Sequence, residues 1–220
     1  MESASRSTHH PRGRARRLFR RRTIVLVAVA ALLVILGGVG ATQLQAGLDR
    51  AARYEFGSTA VTQEHVGQDR AQALAAATPE GATVDATGNR VTFHTRQVRM
   101  TILAGPPSQE MSFRVAGLTN PTLEVPRGAR VQIRLINGDG QKPHGWALLA
   151  ANTSADEPLR GQAPARPGAA AMLLDQATSS GWPAQTITFS ATQPGRYAYV
   201  CQVGDHARMG MRGGFEVAAG

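Results

Sequence analysis

Apolar and polar residues alternate with a period of two through most of the chain after Gly88. One alternating set starts at Val91 and a second, of opposite parity, starts at Val98, which predicts a bulge or bend between them. Further alternating segments, separated by Gly and Pro, lie at 111–115, 123–125, 131–135, 145–150, 184–190, 196–201 and 213–217. Short strands with this punctuation and little helix predict an all-β fold, an antiparallel β-sandwich.

The alternation lapses between Asn152 and Pro183, where Ala, Gly, Pro and Ser dominate. A loop of this length in a compact domain is usually functional or disordered. A short helix could form over Ala169–Gln176. The insertion could cover an edge of the sandwich, shape a surface for a partner, or be a tolerated surface addition, and the sequence leaves these alternatives open.

A different pattern occupies the N-terminal part of the chain. Residues Arg12–Arg22 include seven arginines, and Ile24–Gly40 follows as seventeen residues without a charged or polar side chain. Arginines before an apolar run stay on the cytoplasmic side, so this pattern predicts a single-pass transmembrane helix with everything after it on the extracytoplasmic face. The alternative is a signal peptide cleaved near Ala41, which would release a secreted protein.

The stretch from Thr42 to about Glu80 is rich in Ala, Gln and Thr and is typical of a spacer, with a short helix predicted at Asp69–Ala77 before Thr78-Pro79. The spacer could be a stalk or a disordered linker. The expected organisation is a basic cytoplasmic tail (1–23), a transmembrane anchor or signal segment (24–44), a partly helical or disordered spacer (45–87) and a β-domain (88–220).

The length of 220 residues suits one well-buried domain with a tail. Eight arginines against one glutamate give residues 1–23 a net charge of +7, so only +2 of the total of +9 remains for residues 24–220. Most of the chain's excess positive charge therefore lies in the N-terminal tail. A nearly neutral domain with few aromatic residues gives no support for nucleic-acid binding.

The chemistry of the chain concentrates around its single cysteine. Cys201 is followed by His206 and Met211, at five and ten residues' distance, and Met209 lies between them. A thiolate, an imidazole and a thioether, joined by a second imidazole from His144, form a soft ligand set that selects copper. The spacing favours Met211 as the axial ligand but admits Met209.

These residues resemble the cupredoxins, or type 1 blue copper proteins, and among them the rusticyanin and sulfocyanin branch. The resemblance covers about 91–217 and rests on Asn120–Ala129, on Leu135-Ile-Asn137 followed by His144, and on Tyr199–His206 with Met211 and 215–217. It implies a Greek-key sandwich and one type 1 copper ion bound by His144, Cys201, His206 and Met211. Many cupredoxins have Asn or Ser after the first histidine, where this chain has Gly145.

The resemblance implies one-electron transfer and no enzymatic activity on a small-molecule substrate. The expected partners are redox proteins at the same membrane face, such as a cytochrome complex or a terminal oxidase. A copper enzyme with a second centre would need more histidines than His65 and His94, which are the ones that remain in the exported part besides His144 and His206. A dinuclear copper domain would need two cysteines, and the chain has one. A Cys-His hydrolase lacks an evident third orienting group. A copper carrier or chaperone, or a metal-free binding module, remains the alternative.

Overall fold

A computed structural model describes residues 64–156 and 159–220 of the chain. Within them the period-two pattern becomes strands with one buried side. The strand over Ala129–Asn137, for example, buries Val131 while exposing Arg130 and Gln132. The strands are β1 (Glu64–Val66), β2 (Ala82–Asp85), β3 (Arg90–Phe93), β4 (Gln97–Ala104), β5 (Phe113–Val115), β6 (Leu118–Thr119), β7 (Thr122–Val125), β8 (Ala129–Asn137), β9 (Ala147–Ala150), β10 (Trp182–Ala191), β11 (Gly195–Val200) and β12 (Arg212–Val217), with one helix, α1 (Gln68–Ala76).

The strands form two six-stranded sheets, in the orders β1-β10-β8-β4-β5-β6 and β2-β3-β7-β12-β11-β9. Side chains from both sheets, such as Ile133, Leu123 and Phe215, belong to one buried apolar cluster. Fully burying a side chain of this size contributes about 1.5–3 kcal/mol. The predicted all-β sandwich is therefore confirmed, with its core between the sheets.

The predicted antiparallel arrangement holds for most strand pairs in the described residues but is wrong for three of them. The pairs β3–β7 and β7–β12 in one sheet, and β4–β8 in the other, are parallel. The physical reason is that successive strands such as β3 and β4, or β7 and β8, belong to opposite sheets. The chain crosses between sheets at residues 94–96. This crossing, rather than the predicted bulge or bend, explains the change of parity between Val91 and Val98.

The predicted spacer over 45–87 extends too far, because residues 64–87 belong to the folded unit. Strand β1 pairs with β10, and β2 pairs with β3. Helix α1 begins after Gly67 rather than at a cap on Asp69, and it ends before Thr78-Pro79 as predicted. Its buried Ala71 and Ala75 lie in an apolar cluster with Leu103, Ile136 and Trp182. A helix whose fully buried side chains are two alanines has a weak apolar pattern, so the sequence does not reveal that it packs on the sandwich.

The insertion at 152–183 covers an edge of the sandwich. Strand β9 lies at the edge of its sheet, and the backbone of Leu148 donates to the Ala169 carbonyl while Ala171 donates to that of Trp146. The short helix predicted over Ala169–Gln176 is therefore wrong, because this backbone is extended and pairs with β9 and the residues before it. Covering an exposed strand edge also removes a site of unwanted strand pairing.

In the part of the chain that the structure describes, no helix is both long and apolar enough to cross a membrane. The predicted basic tail at 1–23, the predicted span at 24–44 and the spacer up to residue 63 lie outside the described residues.

Candidate metal centre

Three neighbouring strands bring the predicted ligands to one end of the sandwich. Cys201 directly follows β11, and Met211 directly precedes β12, which pairs antiparallel with β11. His144 lies shortly before β9, whose Ala147 pairs with Val200. Since β11 is antiparallel to both neighbours, its C-terminal end meets the N-terminal ends of β9 and β12. His206 lies in the turn between Cys201 and β12.

The two histidines face the cysteine through the same ring atom. The Cys201 Sγ atom lies 3.7 Å from Nδ1 of His144 and 3.5 Å from Nδ1 of His206. The potential ligand atoms of the three residues all lie within 4.8 Å of one another. All three residues are buried. The site therefore presents one sulfur and two imidazole nitrogens to a shared point, as a trigonal metal site requires.

The turn that follows Cys201 is closed by its own backbone. The Cys201 N–H donates to the Met211 carbonyl at 3.1 Å, and the Met211 N–H donates to the His206 carbonyl at 2.9 Å. Gly210 has a φ of +104°, a conformation that favours glycine. The loop's own backbone hydrogen bonds thus hold its three candidate ligands together.

Burial distinguishes the two methionines that the sequence spacing admitted. Met211 is fully buried in the apolar core cluster that also contains Cys201. Met209 is 50% exposed. Only Met211 therefore has the inward placement that an axial ligand needs.

Aromatic side chains pack around β11, the strand that Cys201 directly follows. Trp146 stacks on Tyr199, with ring centroids 6.2 Å apart, and on Phe189 at 6.1 Å. The Tyr199 hydroxyl donates to the Pro121 carbonyl at 2.7 Å. A Cβ atom on Gly213 would lie 2.2 Å from the Tyr199 ring, so the ring requires a glycine on the neighbouring strand. Tyr199 and Cys201 are two residues apart, so their side chains point to the same face. The packing that holds Tyr199 in place therefore also limits the movement of Cys201.

The backbone of Gly145 donates to the cysteine sulfur. Its N–H lies 3.5 Å from Cys201 Sγ. A Cβ atom at this position would lie 2.6 Å from the Gln202 Oε1 atom and 2.8 Å from Leu173. The Asn or Ser found here in many cupredoxins would therefore need these neighbours to move, and the main chain supplies the bond to sulfur instead.

A carboxylate that the sequence pattern does not single out contacts His144 on the ring edge opposite Cys201. The Asp139 Oδ2 atom lies 3.0 Å from His144 Nε2, and both side chains are almost completely buried. Gly105 makes room for the pair: a Cβ atom on it would lie 2.6 Å from His144 Nε2 and 2.7 Å from Asp139 Cβ. The only sequence signal is an acidic residue five positions before the histidine, in the run Asn137-Gly-Asp-Gly140.

Burial sets the protonation of the metal-free site. It raises the pKa of the Cys201 thiol to about 11, although backbone N–H groups of Gly145 and Val203 act in the opposite direction. Burial also lowers the pKa of His144 and of His206. At neutral pH the apo site therefore holds a protonated thiol and two neutral imidazoles, and binding a metal to the sulfur displaces the thiol proton.

Replacing Gly105 with alanine should weaken metal binding at His144. The new methyl group must displace either the imidazole or Asp139, and Gly105 also has a φ of +60°. Gly128 provides a matched control because its φ is +79° and nothing lies within 4 Å of a Cβ built on it. Backbone strain should cost each variant about 1–2 kcal/mol of stability, and G105A should lose more because of the displaced side chains; thermal unfolding measures both. Only G105A should lower the affinity for Cu(II) in a titration, and equal affinities in the two variants would contradict this role for Gly105.

No protein-family model matches the chain. The chain is 30% identical over 133 residues to rusticyanin from Acidithiobacillus ferrooxidans, a match that covers 60% of this chain and 83% of that protein. A structure of reduced rusticyanin matches with a TM-score of 0.60 at 24% identity, covering 71% of this chain and all (100%) of that one. Rusticyanin from Thiobacillus ferrooxidans matches with a TM-score of 0.61 at 23% identity over 73% and 100% of the two chains. The structural matches show that the two sheets follow the fold of these proteins.

Proposed function

Because this chain belongs to the cupredoxin family, close to rusticyanin, we propose that it is an electron-transfer protein with a type 1 copper centre. Its cofactor is one type 1 copper ion, and the donor set fits that ion because it joins a thiol, two imidazoles and a buried thioether. The proposed ligands are His144, Cys201, His206 and Met211. The observation that carries the proposal is the approach of both Nδ1 atoms to Cys201 Sγ.

Copper bound at such a site supplies one-electron chemistry by alternating between Cu(I) and Cu(II). The protein's part is to hold the donor atoms in one arrangement for both oxidation states. The hydrogen bonds that close the turn between Cys201 and Met211, and the aromatic stacking under β11, support that role. Little structural change is then needed when an electron arrives or leaves.

We infer that electrons enter and leave through His206. Its side chain reaches the surface slightly, at 7% exposure, whereas His144 is at 0%. Met209, three residues from His206, and Leu173 of the insertion are exposed apolar side chains that a partner could cover. The proposed partners are redox proteins, such as a membrane cytochrome complex or a terminal oxidase.

Redox cycling tests this function against that of a copper carrier. The copper-loaded protein should be bleached by one electron equivalent of ascorbate per copper and should recover its full colour with a strong one-electron oxidant such as hexachloroiridate(IV). The copper should stay with the protein through gel filtration in both states. Loss of copper to a Cu(I) chelator on the time scale of reduction would instead favour the carrier.

The affinity for copper should rise with pH. Burial lowers the pKa of both imidazoles, so they need lose no proton above neutral pH. Up to the thiol pKa of about 11, each bound Cu(II) therefore releases one proton from Cys201. The apparent affinity should therefore increase about tenfold per pH unit. Competition with a chelator of known pH dependence measures the slope. C201A should lose this slope, and a flat wild-type profile would contradict thiolate ligation.

We further propose that the domain stays tethered to the outer face of the cell membrane by the apolar segment Ile24–Gly40, with Arg12–Arg22 inside. The protein should remain in the membrane fraction after washes with high salt and carbonate, because these washes remove peripheral proteins but not a spanning helix. Immunoblotting of the fractions, with mass spectrometry of the N-terminus, measures this. Release of a chain that begins near Ala41 would support the secreted alternative.

A further inference from the structure

A buried carboxylate, Asp139, lies against His144 next to the proposed centre. Asp139 and His144 form a buried pair at one edge of the imidazole, while Nδ1 on the other edge faces Cys201. The inference below rests on the proposed role of His144 as a ligand. Copper binding there requires that His144 Nδ1 carry no proton.

Asp139 accepts hydrogen bonds on both of its oxygens. The Oδ1 atom accepts from the backbone N–H groups of Gln141 and Lys142, at 2.7 and 3.1 Å. The Oδ2 atom lies 3.0 Å from His144 Nε2. An ionised carboxylate offers acceptors on both sides, whereas an amide offers one acceptor and one donor. These contacts therefore specify a carboxylate and require His144 to donate from Nε2.

The loop around Asp139 is itself fixed by a buried amide. Asn137 Oδ1 accepts from the Asp139 N–H at 2.9 Å, and Asn137 Nδ2 donates to the carbonyls of Lys142 and Asp175 at 2.9 and 2.8 Å. Asn137 thereby ties the His144 segment to the insertion. The carboxylate cannot turn away from the imidazole without breaking several of these bonds.

We propose that Asp139 is a positioning residue that holds the proton of neutral His144 on Nε2, leaves Nδ1 free for copper, and by its buried negative charge favours Cu(II) over Cu(I). The effect on the two oxidation states follows from the charges of the buried groups. With Asp139 and the Cys201 thiolate, Cu(II) gives a neutral set and Cu(I) leaves one uncompensated negative charge. A buried uncompensated charge is costly, so this carboxylate should lower the reduction potential.

The first test uses the full-length, metal-free protein, so it does not depend on copper binding. Long-range 1H–15N NMR of the wild-type apo protein in detergent reports which nitrogen of His144 carries the proton, with the H144Q spectrum assigning the signals. The expected result is a proton on Nε2. A proton on Nδ1 would overturn the proposal even if the protein forms a blue copper centre.

The second test is Asp139→Asn, which nearly preserves shape but must present a donor either to His144 or to the two backbone N–H groups. Copper affinity should fall about 10–100-fold, the range for loss of a group that orients a metal ligand. The reduction potential should rise by about 59 mV for each tenfold loss of preference for Cu(II) over Cu(I). Circular dichroism of the apo variant shows whether it is folded. If it is unfolded, the wild-type NMR result alone decides whether the proposal stands.

Asp205→Asn is the matched control. Asp205 is next to the other imidazole ligand, but its carboxylate is exposed and pairs with Arg208. Its replacement should change affinity within about fivefold, as for other exposed ion pairs. Equal effects of D139N and D205N on affinity and potential would overturn the proposal. If neither the wild type nor the variants bind copper, the proposed function is wrong. The NMR experiment still measures the His144 tautomer in that case.

Discussion

Cys201→Ser is expected to abolish the intense visible absorption of the copper-loaded protein completely. The absorption of a blue copper site arises from charge transfer between the thiolate and Cu(II), and the chain has no other cysteine to replace it. The two histidines would remain close together, with ring centroids 4.9 Å apart. Residual Cu(II) binding should therefore be weak and nearly colourless, measured by visible spectroscopy during a copper titration.

The same replacement should leave the β-sandwich folded. The core cluster contains apolar side chains from both sheets, and Cys201 is one member at its end. The buried thiol is protonated in the apo protein, so no charge is lost in the variant. The new hydroxyl should cost about 1–3 kcal/mol of stability if it finds no partner, and Cys201→Ala avoids that polar group. Circular dichroism and thermal unfolding of the apo proteins measure these effects. An unfolded C201A protein, or a retained visible band in either variant, would contradict this account.

Met211→Gln is expected to lower the reduction potential while keeping the blue colour. A thioether is a weak axial ligand, and an amide oxygen stabilises Cu(II) better. A tenfold gain in the preference for Cu(II) lowers a one-electron potential by about 59 mV, and we expect a shift of at least that size. Cyclic voltammetry measures the potential, and the visible spectrum shows whether the thiolate bond to copper persists.

Two further replacements make the assignment of the axial ligand specific. Met211→Leu keeps the buried volume but removes the donor, so the potential should rise rather than fall. Met209→Gln alters a methionine that is 50% exposed, so it should change neither potential nor colour appreciably. If Met209→Gln produced the larger shift, the axial ligand would be Met209.

The sequence predicted the parts of the fold that depend on strong local patterns. Strands such as β8 alternate over many residues, and inward Val131, Ile133 and Leu135 are indeed buried. Strand β1 is three residues long, and α1 buries two alanines, so neither has an apolar pattern that stands out. Parallel pairing could not be predicted either, because it depends on which sheet each successive strand joins.

The candidate ligands were predictable because three of them lie within eleven residues and have side chains of unusual chemistry. Their surroundings were not. Asp139 and Gly105 approach His144 only through the packing of separate segments. The alanines in residues 169–176 favour a helix, but the backbone groups of this segment pair with the exposed edge near β9 instead.

The central claim is that this chain binds one copper ion through a cysteine thiolate and two imidazoles in a type 1 centre. Adding Cu(II) to the purified full-length protein, and recording visible absorption with electron paramagnetic resonance, tests it most directly. We predict one copper per chain, an intense blue thiolate-to-copper band, and an EPR signal with the narrow copper hyperfine splitting of type 1 sites. An ordinary wide splitting without the visible band, or the absence of stoichiometric binding, would contradict the claim.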